Sequence, residues 1–430
     1  MHGGIKCTAA AGGRDAPPPP GPAASTHVQS LLTDDTPWAR PVHMQTARPG
    51  PDPGPLRALR LLSASYSPLA HLPRSLTHSL TLISIPHNPP PLPLSIYPPP
   101  PFPSDDCWQV DRAANGTIVA DPVRFPSGIK ATADYVHGRG LLFGVYTAAH
   151  EFTCQNRPGS YQHELLDAAT YCEWGIDYLK TDGCRGASWP AINTSWINFR
   201  RGIDACVAGG GRDIVLSVES CPSDNPQDCH AWIPALANLW RTTGDIQATW
   251  QSVLANLDDN DAGGLPALAG PGRWNDADML QVGNPGLSPD EQRSHMAAWC
   301  VIASPLLIGT DLVSGIDAAT LAMLSAPEVL AVSQDPLGVQ GTRVSAPAPS
   351  GGECWARPLA DGSVAALLLN RGDAPADVTC TFAEAGLRSP GGAAAVRDLW
   401  ARAELGTFTA QYTAPRLAPH ASALVKLTQQ

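Results

Sequence analysis

The sequence predicts an α/β protein: a (β/α)8-type barrel that lacks its first strand–helix unit, followed by a C-terminal antiparallel β-sandwich. Three observations predict it. Residues 1–104 are rich in Pro, Ala and Ser, with proline runs at 17–20 and 98–101 and no sustained period of 2 or 3.6. From Asp105 onward, short apolar runs alternate with amphipathic stretches, the texture of a parallel sheet with crossover helices. After Gln334-Asp-Pro-Leu-Gly338 the helical periodicity gives way to alternation broken by turns. The expected domains are therefore 1–104, a low-complexity Pro-rich segment expected to be disordered or foreign to the fold; 105–336, the barrel; and 337–430, the sandwich.

The elements follow in order. Ser127 reads as a helix cap, Ile129, Ala133 and Val136 share one helical face, and Gly138 and Gly140 end the helix before a buried strand at 141–146. A helix over 160–174 stops at Gly175 and feeds strand 176–181. Further strands are expected at 214–218, 236–241, 273–279 and 305–310. Polar or acidic residues stand at the C-terminal end of each: Asp182, Glu219, Arg241 with Asp245, Asp276 with Asp278, and Asp311. Barrels of this kind place their chemistry on that face. In the tail, strands are expected at 354–358, 364–370, 376–382 and 421–427, with few groups that could act chemically.

Composition narrows the function. At 430 residues the chain exceeds the size at which one core stops growing, roughly 250–300 residues, so two cores are expected. Asp and Glu outnumber Lys and Arg 39 to 28 with no long basic cluster, which argues against a nucleic-acid partner. The most apolar stretches, 303–308 and 364–369, fall far short of the ~20 residues of a membrane span. Eleven cysteines and two glycosylation sequons, Asn115-Gly-Thr and Asn193-Thr-Ser, lean towards an oxidising compartment, although residues 1–6 lack a signal-peptide pattern.

Four local patterns could carry chemistry. In Tyr178-Leu-Lys-Thr-Asp-Gly-Cys184, an apolar strand delivers Asp182 to the loop face with Lys180 on the same side of the pleat, where a cation keeps the carboxylate ionised. That suits a nucleophile, and equally an Asp that caps the next helix. In Trp240-Arg-Thr-Thr-Gly-Asp245, Arg241 and Asp245 stand at a second strand end, either as half of a carboxylate pair for glycoside hydrolysis or as a surface ion pair. In Gly270-Pro-Gly-Arg-Trp-Asn-Asp-Ala-Asp-Met-Leu280, Trp274, Asp276, Asp278 and Met279 mix apolar surface with carboxylates as sugar sites do; a Ca²⁺ loop competes but lacks the rest of its pattern. Asp105-Asp-Cys-Trp108 offers two adjacent acids that can meet one ligand only where the strand has turned into a loop.

Taken together these segments resemble a family. Asp105-Asp-Cys-Trp108, Phe125-Pro-x-Gly-Ile129, Gly144-Val-Tyr146, Trp174-Gly-Ile-Asp-Tyr-Leu-Lys-x-Asp-Gly-Cys184, Arg241 with Asp245, the 270–280 segment and Gln334-Asp-Pro-Leu-Gly338 are similar, in order, to the melibiase-type α-galactosidases of glycoside hydrolase family 27. The resemblance spans residues 105–430. It implies a secreted retaining α-galactosidase that hydrolyses terminal non-reducing α-D-galactosyl residues of oligosaccharides, galactomannans or glycoconjugates, with Asp182 as nucleophile and Asp245 as acid/base. It implies that Asp105 and Asp106 bind the C4 and C6 hydroxyls, Lys180 those at C3 and C4, and Arg241 and Glu219 the C2 side, while Asp278 and Met279 close the pocket and Tyr146 stands beside the nucleophile. It further implies a Cys154–Cys184 disulfide, no cofactor and no metal, a cell-wall, vacuolar or lysosome-like location, and a homodimer as the form of self-association left open.

The chain departs from the family in two places. After Glu219 it reads Ser220-Cys-Pro-Ser223 where the family commonly has Trp-Gly or Trp-Pro, which leaves open an α-N-acetylgalactosaminidase or β-L-arabinopyranosidase. A non-catalytic carbohydrate-binding protein is the remaining alternative, disfavoured because both carboxylates are present. Cys221 and Cys229 could pair across this loop, which spacing alone does not decide. The family's opening Gly-Trp-Asn-Ser-Trp strand is absent from residues 1–104, and a second strand is not expected at 97–104 because proline cannot donate ladder hydrogen bonds. Cys107 is then expected to lack its family partner unless Cys7 serves, and the chain as written is expected to express poorly and to be inactive.

Overall fold

The computed structural model describes residues 101–184, 189–219, 229–312, 316–345, 348–387 and 392–430. Its first sheet is parallel and joins β1 (Pro101–Ser104), β4 (Leu142–Ala148), β5 (Tyr178–Asp182), β6 (Val215–Val218), β7 (Leu239–Arg241) and β8 (Trp274–Asp276) in that order. A small hairpin, β2 (Gln109–Arg112) and β3 (Ile118–Ala120), follows β1. The helices α1 (Gly128–His137), α2 (Glu164–Trp174), α3 (Trp189–Ala208), α4 (Ile233–Leu236) and α5 (Trp250–Asp261) each precede the next strand of the sheet. After β8 come α6 (Pro289–Val301), α7 (Ala318–Leu324) and α8 (Pro327–Ser333).

Several expectations are met for local reasons. Gly175 ends α2 at φ +73, a left-handed value that glycine adopts without steric cost, and the N–H groups of Gly175 and Ile176 close onto Cys172 and Tyr171. Gly144 lies in β4 because a Cβ there would come within 2.8 Å of the Tyr178 ring on β5. The start of α6 carries a capping box between Ser288 and Glu291.

Others are corrected. Ser127 makes no side-chain cap bond. The second helix begins at Glu164 rather than 160, since the Ser160 hydroxyl bonds Thr147 at 2.6 Å and Gln162 takes φ +65. The strand expected over 273–279 stops at Asp276 because Asp278 adopts φ +76. The strand expected at 305–310 is reduced to one parallel bridge, Leu280 with Ile308.

The largest correction concerns the start of the barrel. The 97–104 segment was expected to carry no strand, yet Pro101–Ser104 pairs in parallel with Leu142–Val145. Prolines 101 and 103 alternate, so both missing donors fall on one side of the ladder and Phe102 and Ser104 keep theirs for the other. Cys107 is likewise disulfide-bonded, not unpaired. The remainder of 1–104, including Cys7, lies outside the described residues; with Pro101–Ser104 in the sheet, one of the two strands whose absence led to the expected inactivity is present.

The C-terminal strands are β9 (Thr342–Arg343), β10 (Gly352–Pro358), β11 (Val364–Asn370), β12 (Ala376–Thr381), β13 (Ala393–Asp398), β14 (Ala403–Thr409), β15 (Gln411–Leu417) and β16 (Ser422–Gln429). They form an antiparallel sheet ordered β14-β13-β16-β11-β10-β9 and a two-stranded partner, β12-β15. The Cys354–Cys380 disulfide ties β10 to β12 across the sandwich. The 336/337 boundary is not a boundary of packing. One apolar core contains Met296, Trp299 and Val301 from α6 together with Trp355, Leu367, Leu369 and Leu424 from the sandwich. The fully buried Arg357 also donates from β10 to the Cys300 carbonyl at 2.7 Å.

Candidate active site

The C-terminal ends of the parallel strands converge on one cluster of charge. At the end of β5, Asp182 accepts two hydrogen bonds: the Tyr146 hydroxyl donates to Oδ2 at 2.8 Å and the Gly183 N–H to Oδ1 at 2.7 Å. The β4–β5 register sets Tyr146 opposite Lys180, two residues before Asp182 and thus on the same face, with Lys180 Nζ 5.4 Å from the Tyr146 ring centre. Burial followed by the charges of Asp182, Asp106 and Asp105 pushes the Tyr146 phenol far up, so it is a fixed donor. Burial alone would lower Lys180, but Asp105, Asp182 and Glu219 outweigh it and raise its pKa. Lys180 is thus a permanent cation among carboxylates, the relation its spacing from Asp182 implied.

Asp105 and Asp106 lie just past β1 where the chain turns, with Cys107 at φ +79. That turn is the condition under which adjacent acids can serve one ligand. Asp106 is buried and accepts from Cys107 N at 2.7 Å, Thr153 Oγ1 at 2.8 Å and Gln155 N at 2.9 Å. Burial raises its pKa, against the lowering effect of those three donors. Asp105 accepts from the Asp106 N–H at 2.8 Å. Trp108, buried behind the turn, donates its indole N–H to the Tyr146 carbonyl at 2.7 Å and so couples this loop to β4.

On the far side Arg241, with its side chain 5% exposed, gathers three carboxylates: Asp278 at 3.1 Å, Asp245 at 3.3 Å and Glu219 at 4.0 Å. Burial acts to lower its pKa, and Glu219, Asp278, Asp276 and Asp245 together raise it. A surface ion pair is therefore the wrong description of the arginine, although Asp245 itself is 76% exposed and free to meet a ligand. Asp278 accepts from Ile246 N and Met279 N, both at 2.8 Å, and Trp299 donates to the Asp278 carbonyl at 2.7 Å. Met279 follows, half-buried. These bonds turn the Asp278 carboxylate towards Arg241 and the backbone, an arrangement unlike a Ca²⁺ loop, whose oxygens converge on an ion. Cys154, Asp182 and Cys184 lie close enough to suggest metal ligands, but the two sulfurs form one disulfide and offer no thiolate. Closing a loop over a sequence separation of 30, that disulfide contributes about 3.5 kcal/mol in the chain-entropy account and fixes the wall beside Asp182.

The structure thus brings Asp105, Asp106, Tyr146, Lys180, Asp182, Glu219, Arg241, Asp245, Asp278 and Met279 to the C-terminal end of the parallel sheet. Sequence reading missed Thr153 and Gln155, which hold Asp106 from almost fifty residues away; Asp276, noted at its strand end but given no role, is buried and its Oδ1 accepts from the Asp278 N–H at 2.9 Å. Cys221 and the departure at 220–223 lie outside the described residues, while Cys229 is disulfide-bonded.

Asp276 gives a pH-dependent expectation. Burial, opposed by Arg241 and reinforced by Asp278, raises its pKa to about 6 from an ordinary 3.8. The folded state therefore binds the proton more tightly, and this contribution to stability is complete below about pH 4 and lost as pH rises through about 6. Asp276→Asn is expected to lose that decline, so that its Tm relative to wild type is higher at pH 7 than at pH 4.5. Thermal melts at the two pH values check it, and an unchanged difference would remove the role assigned to Asp276.

A sequence profile described as Alpha galactosidase A matches residues 102–335, and one for the Alpha galactosidase C-terminal beta sandwich domain matches 350–427. The Alpha-galactosidase 2 of Arabidopsis thaliana is 41% identical over 334 residues, covering 76% of this chain and 79% of the relative. The Alpha-galactosidase of Oryza sativa subsp. japonica is 42% identical over 329 residues, covering 75% and 74%. The crystal structure of α-galactosidase I from Mortierella vinacea superimposes with a TM-score of 0.68 at 28% identity, covering 76% of this chain and 87% of that one.

Proposed function

The chain belongs to the α-galactosidase A family of glycoside hydrolases, and from that premise we propose that Asp182 is its nucleophile and Asp245 its acid/base. The protein is an α-galactosidase acting on galactose-containing saccharides, and the alternatives within its family are less favoured. In the first step an Asp182 oxygen bonds to the anomeric carbon while the glycosidic C–O bond breaks and Asp245 gives its proton to the leaving oxygen. In the second, Asp245 takes a proton from water, the water oxygen bonds to the anomeric carbon, and the Asp182 ester is released as a carboxylate. Two inversions retain the anomeric configuration. The observation that carries this reading is the pairing of Asp182 with a phenol that stays protonated, 2.8 Å away. That hydrogen bond weakens when Asp182 is esterified and strengthens as its charge returns, so Tyr146 assists the second step.

Asp105, Asp106 and Lys180 supply the acceptors and donor for the C3, C4 and C6 hydroxyls, and Glu219 and Arg241 bound the C2 side. Asp278 and Met279 close that end. We place the enzyme in a secretory or vacuole-like compartment, a reading supported by disulfides in both domains. Among the described residues no helix is long and apolar enough to cross a membrane.

Proton NMR of an aryl α-galactoside digest is expected to show α-galactose as the first product, and β-galactose first would overturn the double displacement. A panel of aryl α-galactosides, α-N-acetylgalactosaminides and β-L-arabinopyranosides is expected to give the highest kcat/KM on the first. Preference for either of the others would reassign the C2 side or the C6 side.

A further inference from the structure

Between Arg241 and Asp245 the chain passes through Thr242, Thr243 and Gly244, and nothing lies within 4 Å of where a Cβ on Gly244 would be. From one side the link is held by Arg241, which donates to the Thr243 carbonyl at 3.2 Å and to Asp245 at 3.3 Å, and the Thr243 hydroxyl donates to the Gly244 carbonyl at 3.2 Å. Buried amide side chains fix it from below. Asn256 on α5, 4% exposed, brings its Nδ2 to 3.0 Å from each of Thr243 Oγ1, the Gly244 carbonyl and the Ala277 carbonyl. Two of these three are carbonyls that can only accept, so the amide nitrogen must face them. One turn further along α5, Asn260 donates to Thr242 Oγ1 at 2.7 Å, and Thr242 bonds back to the Asp276 carbonyl through its N–H at 3.0 Å. Gln340 locks the layer beneath, donating to Asn260 Oδ1 at 2.8 Å and accepting from Asn275 Nδ2 at 2.8 Å.

We propose that Asn256 is a positioning residue for proton transfer by Asp245, a proposal that rests on the acid/base reading of Asp245. Its contacts tie the two residues immediately before Asp245 to the strand end that carries Asp276 and Asp278. None of them reaches Asp182, which is held from β4 and by its own Gly183 N–H. Loss of the clamp therefore displaces the proton donor and leaves the nucleophile in place. Displacement of a reacting group by about 1 Å can cost on the order of 10²-fold in rate. That loss appears only where the leaving oxygen needs a proton.

The experiment compares kcat/KM, which reports the first bond cleavage, over α-galactosides graded from dinitrophenyl to melibiose. The enzymes are wild type, Asn256→Leu, Thr243→Val and Asp245→Ala. Asn256→Leu keeps volume and removes the donor; Thr243→Val keeps shape and removes the acceptor for Asn256 together with the hydroxyl's own donation to the Gly244 carbonyl. Asn256→Leu is expected to lose about 10- to 100-fold on melibiose and under about threefold on the dinitrophenyl substrate. Azide should accelerate its kcat on the dinitrophenyl substrate, a response that a merely less stable enzyme would not show. Thr243→Val should show the same slope in weaker form. Equal loss across the series, or none, overturns the clamp; if Asn256→Leu fails to fold, Thr243→Val decides by the same criterion. A flat leaving-group profile in Asp245→Ala would instead defeat the acid/base reading itself.

Discussion

Asp182→Asn is expected to lower turnover of every galactoside by roughly ten-thousandfold or more, with the melting temperature nearly unchanged. A retaining reaction needs a carboxylate that can become an ester and leave again, and an amide does neither at a useful rate. The fold should tolerate the change because the amide oxygen can still accept from Tyr146 or Gly183, the two groups that contact Asp182 at 2.8 Å and 2.7 Å. Glycine at the same position should be equally inactive but would strand the Tyr146 hydroxyl, a donor that burial keeps protonated. Assays with an activated aryl galactoside settle the point, and residual turnover within about tenfold of wild type would show that another group attacks the sugar.

Asp245→Ala should behave in a different way for the two halves of the reaction. On melibiose, whose leaving oxygen must be protonated, kcat/KM should fall by roughly 10²- to 10⁴-fold, the usual worth of general acid catalysis. On a dinitrophenyl galactoside kcat/KM should stay within about tenfold, because that phenolate leaves unaided. The second step loses its base on either substrate; with the dinitrophenyl galactoside, whose first step stays fast, the galactosyl ester should accumulate, KM should fall, and azide should restore kcat by capturing the ester. Equal losses on both substrates with no azide effect would count against the role. In the acid/base reading proposed above, the exposure of Asp245, in contrast to the buried arginine it pairs with, would let one group exchange protons with both leaving oxygen and water.

Much of the fold was legible because it is written locally. The apolar runs that become β4 to β8, the glycine that ends α2 and the carboxylates at the strand ends all lie within a few residues of the signals that define them. Strands β13, β14 and β15 were missed: their Ala, Gly and Thr content carries little alternation, and β14 is almost wholly exposed. The strand at Pro101–Ser104 was excluded on proline chemistry, and that reasoning took it for a strand bonded on both sides. At the site, residue types and order brought out the carboxylates and cations that converge at the strand ends, and the ordered motifs supplied their expected roles. The residues that hold those groups were not legible. Thr153 and Gln155 reach Asp106, Trp299 reaches Asp278 and Asn256 reaches Gly244 over separations that only the closed fold brings together. Support of this kind leaves no periodicity, since Asn256 and Asn260 in a helix that also carries three aspartates look like any solvated asparagines.

Gln340 follows the sequence boundary at 336/337, on the sandwich side, yet its amide lies under the barrel's own asparagines. The two halves of this enzyme are therefore not interchangeable cassettes. A chimera joined near residue 337 would import a foreign neighbour for Asn260 and Asn275 along with a foreign surface for Trp299. A substitution in the second half can then alter the support beneath Thr242 in the first without approaching the sugar.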